Sequence, residues 1–207
     1  MSEHFNASYL EGRAPWDIGR AQAEFVRLAE AGKIRGRVVD LGCGSGENAL
    51  HLAERGFEVW GVDFAPAAID IARRKAEERR IDAQFVVADV LDLNAYADRF
   101  DTAIDSGCFH VLNDQERARY VRSVRGALRP AGRLFLACFS ERQPGAWGPR
   151  RVTQAELRDA FSKGWRVDSI NEAHFEVAPE LVRDIEGRGG AAPGRIEAWL
   201  VEATRLP

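Results

Sequence analysis

Apolar positions along this chain fall into short continuous blocks, each followed by a stripe that recurs every three or four residues, the pattern of strands alternating with amphipathic helices. Val38-Val39-Asp40-Leu41 is one such block. It runs into Gly42, Gly44 and Gly46, after which Ala49, Leu50, Leu52 and Ala53 give a helical stripe that stops at Gly56. The pattern predicts a strand, a tight turn and a helix. Phe57, Val59 and Val62 predict a second strand closing on Asp63, and Pro66, Ala68, Ile69, Ala72 and Ala76 a helix to about Arg80. Ahead of these, Ala21, Phe25, Leu28 and Ala29 mark one face of a helix. Further on, Asn113 to Glu116 reads as a capping box that starts a helix to about Leu128, and Thr153 to Glu156 starts another in the same way. Leu134 to Phe139 is apolar throughout, as a buried parallel strand should be. Two last strands are read near Arg166 to Val177 and Arg195 to Val201. Between them, residues 187–194 are too rich in glycine for regular structure and form either a hairpin loop or a flap over a site, the loop being favoured.

Three glycines at a strand end let a ligand approach backbone, and the helix behind them presents free N–H groups. Glycines also serve tight turns in proteins that bind nothing, so the next strand end matters. Asp63, about 20 residues beyond Gly42, places a carboxylate where a ribose would offer both hydroxyls in a βαβ nucleotide-binding half. The spacing here is Gly-x-Gly-x-Gly. A dinucleotide site wants Gly-x-Gly-x-x-Gly and a helix N-terminus free for pyrophosphate. Asp40 before the turn and Glu47 after it are unfriendly to phosphate and suit a cationic ligand, such as one carrying the ammonium and sulfonium of S-adenosylmethionine. A nicotinamide-dependent oxidoreductase and a non-catalytic binding protein are the rival readings.

Val38 to Gly46, followed by Gly61-Val62-Asp63, resembles the first two motifs of the seven-strand S-adenosylmethionine-dependent methyltransferases. Val86 to Val90, Phe100 to Asp105 and Leu128 to Leu134 resemble three later motifs in order. The resemblance implies an α/β fold, a doubly wound and mostly parallel seven-strand sheet, with an N-terminal helical lid. It assigns the ribose hydroxyls to Asp63, stacking on adenine to Phe64, the adenine amino group to Asp89, and the ring nitrogen to the Val90 N–H. Gly42, Cys43 and Gly44 would contact the methionine part, and Asp40, Asn48 and Asp105 complete the expected cofactor set. Pro15-Trp16-Asp17-Ile18-Gly19-Arg20 is similar to a segment of the thiopurine, thiol and halide methyltransferases, and of small bacterial enzymes that methylate heteroaromatic hydroxyls or nitrogens. In those families it lies over the cofactor and the acceptor. Trp16 is therefore either a lid whose ring face attracts the sulfonium or a hydrophobic staple for the helix that follows.

Residues 1–14 show no period and are expected to form a mobile arm, so that residues 1–20 make an arm or lid and residues 21–207 a single cofactor-binding domain. At 207 residues and 45% hydrophobic content, no second substrate domain fits beside such a sheet. A net charge of −3, with 29 basic against 32 acidic residues, does not favour nucleic acid. Arg73 to Arg80 alternates sign at helical spacing and reads as a solvated face. Cys43, Cys108 and Cys138 match neither a disulfide framework nor a zinc site, and with no apolar leader or span the expectation is a cytoplasmic monomer or homodimer.

Beyond the fourth strand lies Asp105-Ser106-Gly107-Cys108-Phe109-His110. His110 is the candidate general base, or else a residue of the crevice wall; Cys108 reads as wall, because direct transfer needs no covalent intermediate. Trp16, Phe109, His110 and Trp147 are the candidate acceptor-binding residues, Phe139 could join them, and no metal site is expected. The expected acceptor is a small, flat heteroaromatic molecule methylated on oxygen or nitrogen, with a thiol, halide or metalloid acceptor as the alternative.

Overall fold

The computed structural model describes residues 2–12, 14–145, 147–178 and 195–207; the glycine-rich stretch 187–194 lies outside the described residues. Seven strands, β1 (Val38–Leu41), β2 (Val59–Asp63), β3 (Gln84–Val87), β4 (Phe100–Ser106), β5 (Leu128–Phe139), β6 (Trp165–Phe175) and β7 (Ile196–Arg205), form one sheet in the order β3-β2-β1-β4-β5-β7-β6. β1 to β5 pair in parallel, and β7 runs antiparallel between β5 and β6. The helices are α1 (Ser2–Leu10), α2 (Ala23–Glu30), α3 (Glu47–Glu54), α4 (Pro66–Arg79), α5 (Asp114–Ala127) and α6 (Gln154–Ala160).

Strand periodicity divides the core between the two faces of the sheet. Val39, Leu41, Ala103, Leu134 and Leu136 pack with Tyr120, Val121 and Val124 of α5 and Leu157 of α6. Their neighbours Val38, Ile104, Phe135 and Ala137 point the other way, to Phe25 and Leu28 of α2, Leu50 and Leu52 of α3 and Ile69 of α4. Burial on both faces explains why the central strands read as unbroken apolar runs. The chain builds outward from β1 through β2 to β3 and then returns to β4 on the other side of β1. That reversal opens a crevice beyond the carboxyl ends of β1 and β4, where an open α/β sheet binds its ligands.

Both capping boxes form: Asn113 with Glu116 on α5, and Thr153 with Glu156 on α6. Pro66 is the first residue of α4 and its N-cap, Ala65, contributes no side-chain bond. The free donors are met from elsewhere. Asp63 Oδ1 accepts from the Ala65 N–H at 2.8 Å, and Asn6 Oδ1, from α1, accepts from the Ala67 N–H at 3.0 Å. Here the structure departs from the aperiodic arm expected of residues 1–14. The chain is helical from Ser2 to Leu10, and Tyr9 packs against Ala65 and Ala68 of α4. The helix escaped the hydrophobic pattern because it docks by one aromatic ring and a polar cap, not by an apolar stripe.

Since Asn6 caps α4 from a distance, Asn6→Ala should lower the unfolding free energy by about 1 kcal/mol, the usual value of a helix cap. Urea unfolding monitored by far-UV dichroism would measure it; a midpoint unchanged from wild type would show that the contact caps nothing.

Candidate active site

A cleft of about 820 Å³ lies at this reversal, within the usual range for a small-molecule site. Its floor at one end is the turn after β1. Gly42, Gly44 and Gly46 all have positive φ, which glycine adopts at no steric cost. At Gly44 a Cβ would collide with the Tyr9 hydroxyl, and at Gly42 it would lie 2.9 Å from Cys108 Cβ. Asp63 locks this turn to β2: its Oδ2 accepts from the Gly44 N–H at 2.9 Å while Oδ1 holds Ala65. Burial raises the Asp63 carboxyl and these backbone donors oppose the rise.

Acidic groups surround the glycine turn. Glu47 opens α3, paired with Lys75 and Arg79, which together keep its carboxyl low despite partial burial. Asp40 is fully buried behind the turn. Among the described residues neither carboxyl oxygen has a hydrogen-bond partner, and burial with the neighbouring Asp105 and Asp63 holds its carboxyl up at about 8. A glycine cradle flanked by Glu47 and Asp63, with the neutral Asp40 carboxyl behind it, fits a ligand with a cationic sulfonium and ammonium. It does not fit pyrophosphate.

The roof comes from the N-terminal segment. Trp16 Nε1 donates to the Tyr9 hydroxyl at 2.7 Å, and its ring packs against Phe5, which in turn meets Phe64 edge-on. Trp16 therefore clamps α1. Residues 15–22 are sewn to the end of β6: Glu176 N–H donates to Gln22 Oε1, Gln22 Nε2 donates to the Glu176 carbonyl, and Arg20 makes a two-point ion pair with the Glu176 carboxylate.

At the other end the cleft is aromatic. The His110 ring lies 4.6 Å from Phe139 and 5.8 Å from Phe175, and Phe139 meets Trp147 edge-on. His110 Nδ1 accepts the Phe139 N–H at 3.0 Å. Burial, with Arg117 and Arg151 nearby, pushes its pKa down to about 3, so the ring is neutral and its proton sits on Nε2. The expected general base at His110 does not match this geometry: the basic lone pair is already used, and the other nitrogen is a donor.

Of the residues singled out in the sequence, Trp16, Gly42, Cys43, Gly44, Asn48, Asp63, Phe64, His110 and Trp147 line this cleft. Asp40, Asp89, Val90, Asp105 and Phe109 do not. Asp105 is a turn-builder, accepting from the Cys108 and Phe109 N–H groups and from the Tyr120 hydroxyl. Phe109 is core, packed on Tyr120 and Phe161, which corrects its expected place at the acceptor. Asp89 is exposed and its Oδ1 accepts from the Leu91 N–H, while Val90 belongs to the core. Phe5, Tyr9 and Phe175 line the cleft and were not foreseen. The four-residue spacing of Phe5 and Tyr9 was the one available signal for the first two.

A model described as a methyltransferase domain matches residues 38–132. The chain is also 39% identical to the 2-heptyl-1-hydroxyquinolin-4(1H)-one methyltransferase of Mycobacteroides abscessus, over 99% of its own length and 98% of the relative's. The chain belongs to the S-adenosylmethionine-dependent methyltransferases. Its fold agrees over its whole length, with a TM-score of 0.87 and 34% identity, with a structure solved in work on the conversion of a disulfide bond into a thioacetal group during echinomycin biosynthesis; 93% of that chain is covered. The 1,6-didemethyltoxoflavin-N1-methyltransferase of Burkholderia thailandensis, solved with its substrate and S-adenosylhomocysteine, shares the fold at a TM-score of 0.72 and 22% identity, over all of this chain and 87% of that one. S-adenosylmethionine is thus the cofactor of this methyltransferase. Among the described residues no helix is long and apolar enough to cross a membrane, and no cluster of side chains could hold a metal ion.

Two outcomes follow for this site. Gly44→Ala should destabilise the methyltransferase by about 2 kcal/mol, through left-handed strain and the collision with Tyr9. Tyr9→Phe removes the atom met, so the double variant should lose less than the sum of the singles; strict additivity would mean the two do not touch. Asp40 binds its proton more tightly folded than unfolded, so its contribution to stability is full below pH 4 or so and is lost as pH rises towards 8. Stability curves of wild type and Asp40→Asn should diverge in favour of the variant between pH 5 and 8, and parallel curves would refute the assignment.

Proposed function

We propose that this methyltransferase methylates a small, flat heteroaromatic molecule on a ring oxygen or nitrogen. The observation that carries the reading is the aromatic end of the cleft, where His110, Phe139, Trp147 and Phe175 share one cavity with the glycine turn. Planar walls favour a planar guest, and ring contacts of this kind contribute about 0.5–1.5 kcal/mol each beyond area burial. The Mycobacteroides abscessus relative, whose name specifies a hydroxyquinolinone, supports the same class.

Bound S-adenosylmethionine supplies an electrophilic methyl group on a good leaving group. The chain's own part is to hold two molecules in line and dry, which can be worth an effective molarity of about 10⁵–10⁸ M. In this reading Asp63 takes the ribose hydroxyls, Phe64 the adenine face and Gly42 to Gly44 the methionine part, and all of them line the cleft, which supports it. Trp16, fixed by Tyr9, closes the roof, where its ring attracts a sulfonium by about 0.5–2 kcal/mol. The net charge of −3 supports a small-molecule acceptor over nucleic acid, and three free thiols support a reducing, cytoplasmic setting.

S-adenosylhomocysteine at 100 times its dissociation constant should add about 2.7 kcal/mol of thermal stability. A screen of hydroxylated and N-heterocyclic aromatics with S-adenosylmethionine should then give products heavier by one methylene. Trp147→Ala should raise the acceptor KM about tenfold and leave S-adenosylhomocysteine binding unchanged. Methylation of thiols or halides alone would overturn the heteroaromatic reading while leaving the cofactor site intact.

A further inference from the structure

The wall of the cleft around His110 contains a fixed hydrogen-bond donor and no free base, which narrows the acceptor further than its aromatic rings do; this rests on the heteroaromatic reading above. Because Nδ1 accepts the Phe139 N–H, the His110 proton is confined to Nε2. Nε2 has no partner of its own among the described residues and sits beside Gly107, where an added Cβ would lie 3.3 Å away. His110 lines the cleft at that point. The ring is held by Phe139 and Phe175 on its flanks, so the donor cannot swing away.

The carboxylates lining the cleft all have partners within the protein. Asp63 takes two backbone N–H groups; Glu47 pairs with Lys75 and Arg79; Glu176 pairs with Arg20; Asp114 pairs with Arg150; Asp17 takes the Gly19 N–H and faces Lys75. Burial raises the Cys43 and Cys108 thiols, which removes them as thiolate bases near neutral pH. Arg117 and Arg151 act on His110, and Cys108, Arg150, Glu176 and Tyr9 share its cleft; His4 lines the cleft too, but from α1, in the aromatic roof beside Phe5. None of the groups on the β4–β5 side of the cleft is an unpaired acceptor for a proton, and a role for the His4 imidazole would appear as a limb fixed at one pH in the profiles below.

We propose that the methyltransferase takes acidic heteroaromatic hydroxyl compounds that bind already ionised, and that His110 Nε2–H selects and holds the oxyanion. The proton leaves to water before binding. The acceptor oxygen then uses a lone pair to form the carbon–oxygen bond to the methyl group as the carbon–sulfur bond breaks and its electron pair returns to sulfur, neutralising the sulfonium. Charge is cancelled in one step, and no protein group changes protonation.

Two readouts test this. The first is the absorption spectrum of a chromophoric hydroxyheteroaromatic bound to the protein with S-adenosylhomocysteine, a complex that cannot react. In wild type the bound compound should ionise at lower pH than when free. His110→Asn offers Oδ1 to the Phe139 N–H but places no donor at the position of Nε2. In that variant the ionisation pH of the bound compound should rise by about one to two pH units, and kcat/KM should fall about ten- to hundredfold, the loss of one hydrogen bond to a charge. The second is kcat/KM against pH for one ring skeleton substituted to lie below, near and above the assay pH in acidity. The rising limb should track each compound's own acidity. A limb fixed at one pH for every compound, or equal turnover of compounds that never ionise, would reveal a protein base and overturn the proposal. A His110→Asn variant that melts with wild type yet leaves the bound spectrum unchanged would also overturn it. Failure to bind any ring compound beside S-adenosylhomocysteine would instead overturn the heteroaromatic reading, and this proposal with it.

Discussion

A parallel sheet whose strands end in a ligand site leaves its turn N–H groups with no strand to pair with, and here two carboxylates at strand ends take them up. Asp63, closing β2, accepts from Gly44 and Ala65; Asp105, in β4, accepts from Cys108 and Phe109 and also from Tyr120. They stand either side of β1, at the reversal of strand order. One holds the glycine turn in its left-handed geometry, and the other turns the chain so that His110 enters the cleft while Phe109 enters the core. Buried polar groups must be satisfied, and these two carboxylates satisfy the donors that make the site.

The same arrangement separates charge along the cleft. Glu47 and Asp63 stand at the glycine turn, with the neutral Asp40 carboxyl buried behind it. At the far end the walls are rings, and His110 is neutral with its donor facing inward. In the proposed function, transfer of a methyl group runs from the acidic end of the cleft towards its aromatic end. In that reading the work falls to alignment and exclusion of water.

The N-terminal segment lines the cleft from above, and it is held mainly by polar contacts to distant elements rather than by its own pattern. Asn6 caps α4, Tyr9 wedges against the glycine turn under the Trp16 indole, and Gln22 and Arg20 fasten to Glu176 at the end of β6. Apart from the bond between Trp16 and Tyr9, these contacts join residues far apart in the chain. α1 on its own has little reason to be a helix, and Ala65 on its own is a poor cap; together they complete each other.

By itself the sequence determined what local chemistry controls. The blocks of β1, β2 and β5, the glycine turn, both capping boxes, Pro66 at the head of α4 and the acidic strand end at Asp63 are all properties of neighbouring residues, and each stands where the pattern put it. So did the cationic character of the ligand, because spacing and charge around one turn suffice to disfavour pyrophosphate. Tertiary structure decided the rest. Phe109 and His110 are adjacent in the chain, and nothing in their spacing says which faces the core; the turn held by Asp105 does. His110 looked like a base until its Nδ1 met the N–H of Phe139, a residue brought beside it only by the pairing of β4 with β5. Residue types are legible in sequence, but the direction of a lone pair depends on a partner many residues away, and only the folded chain supplies it.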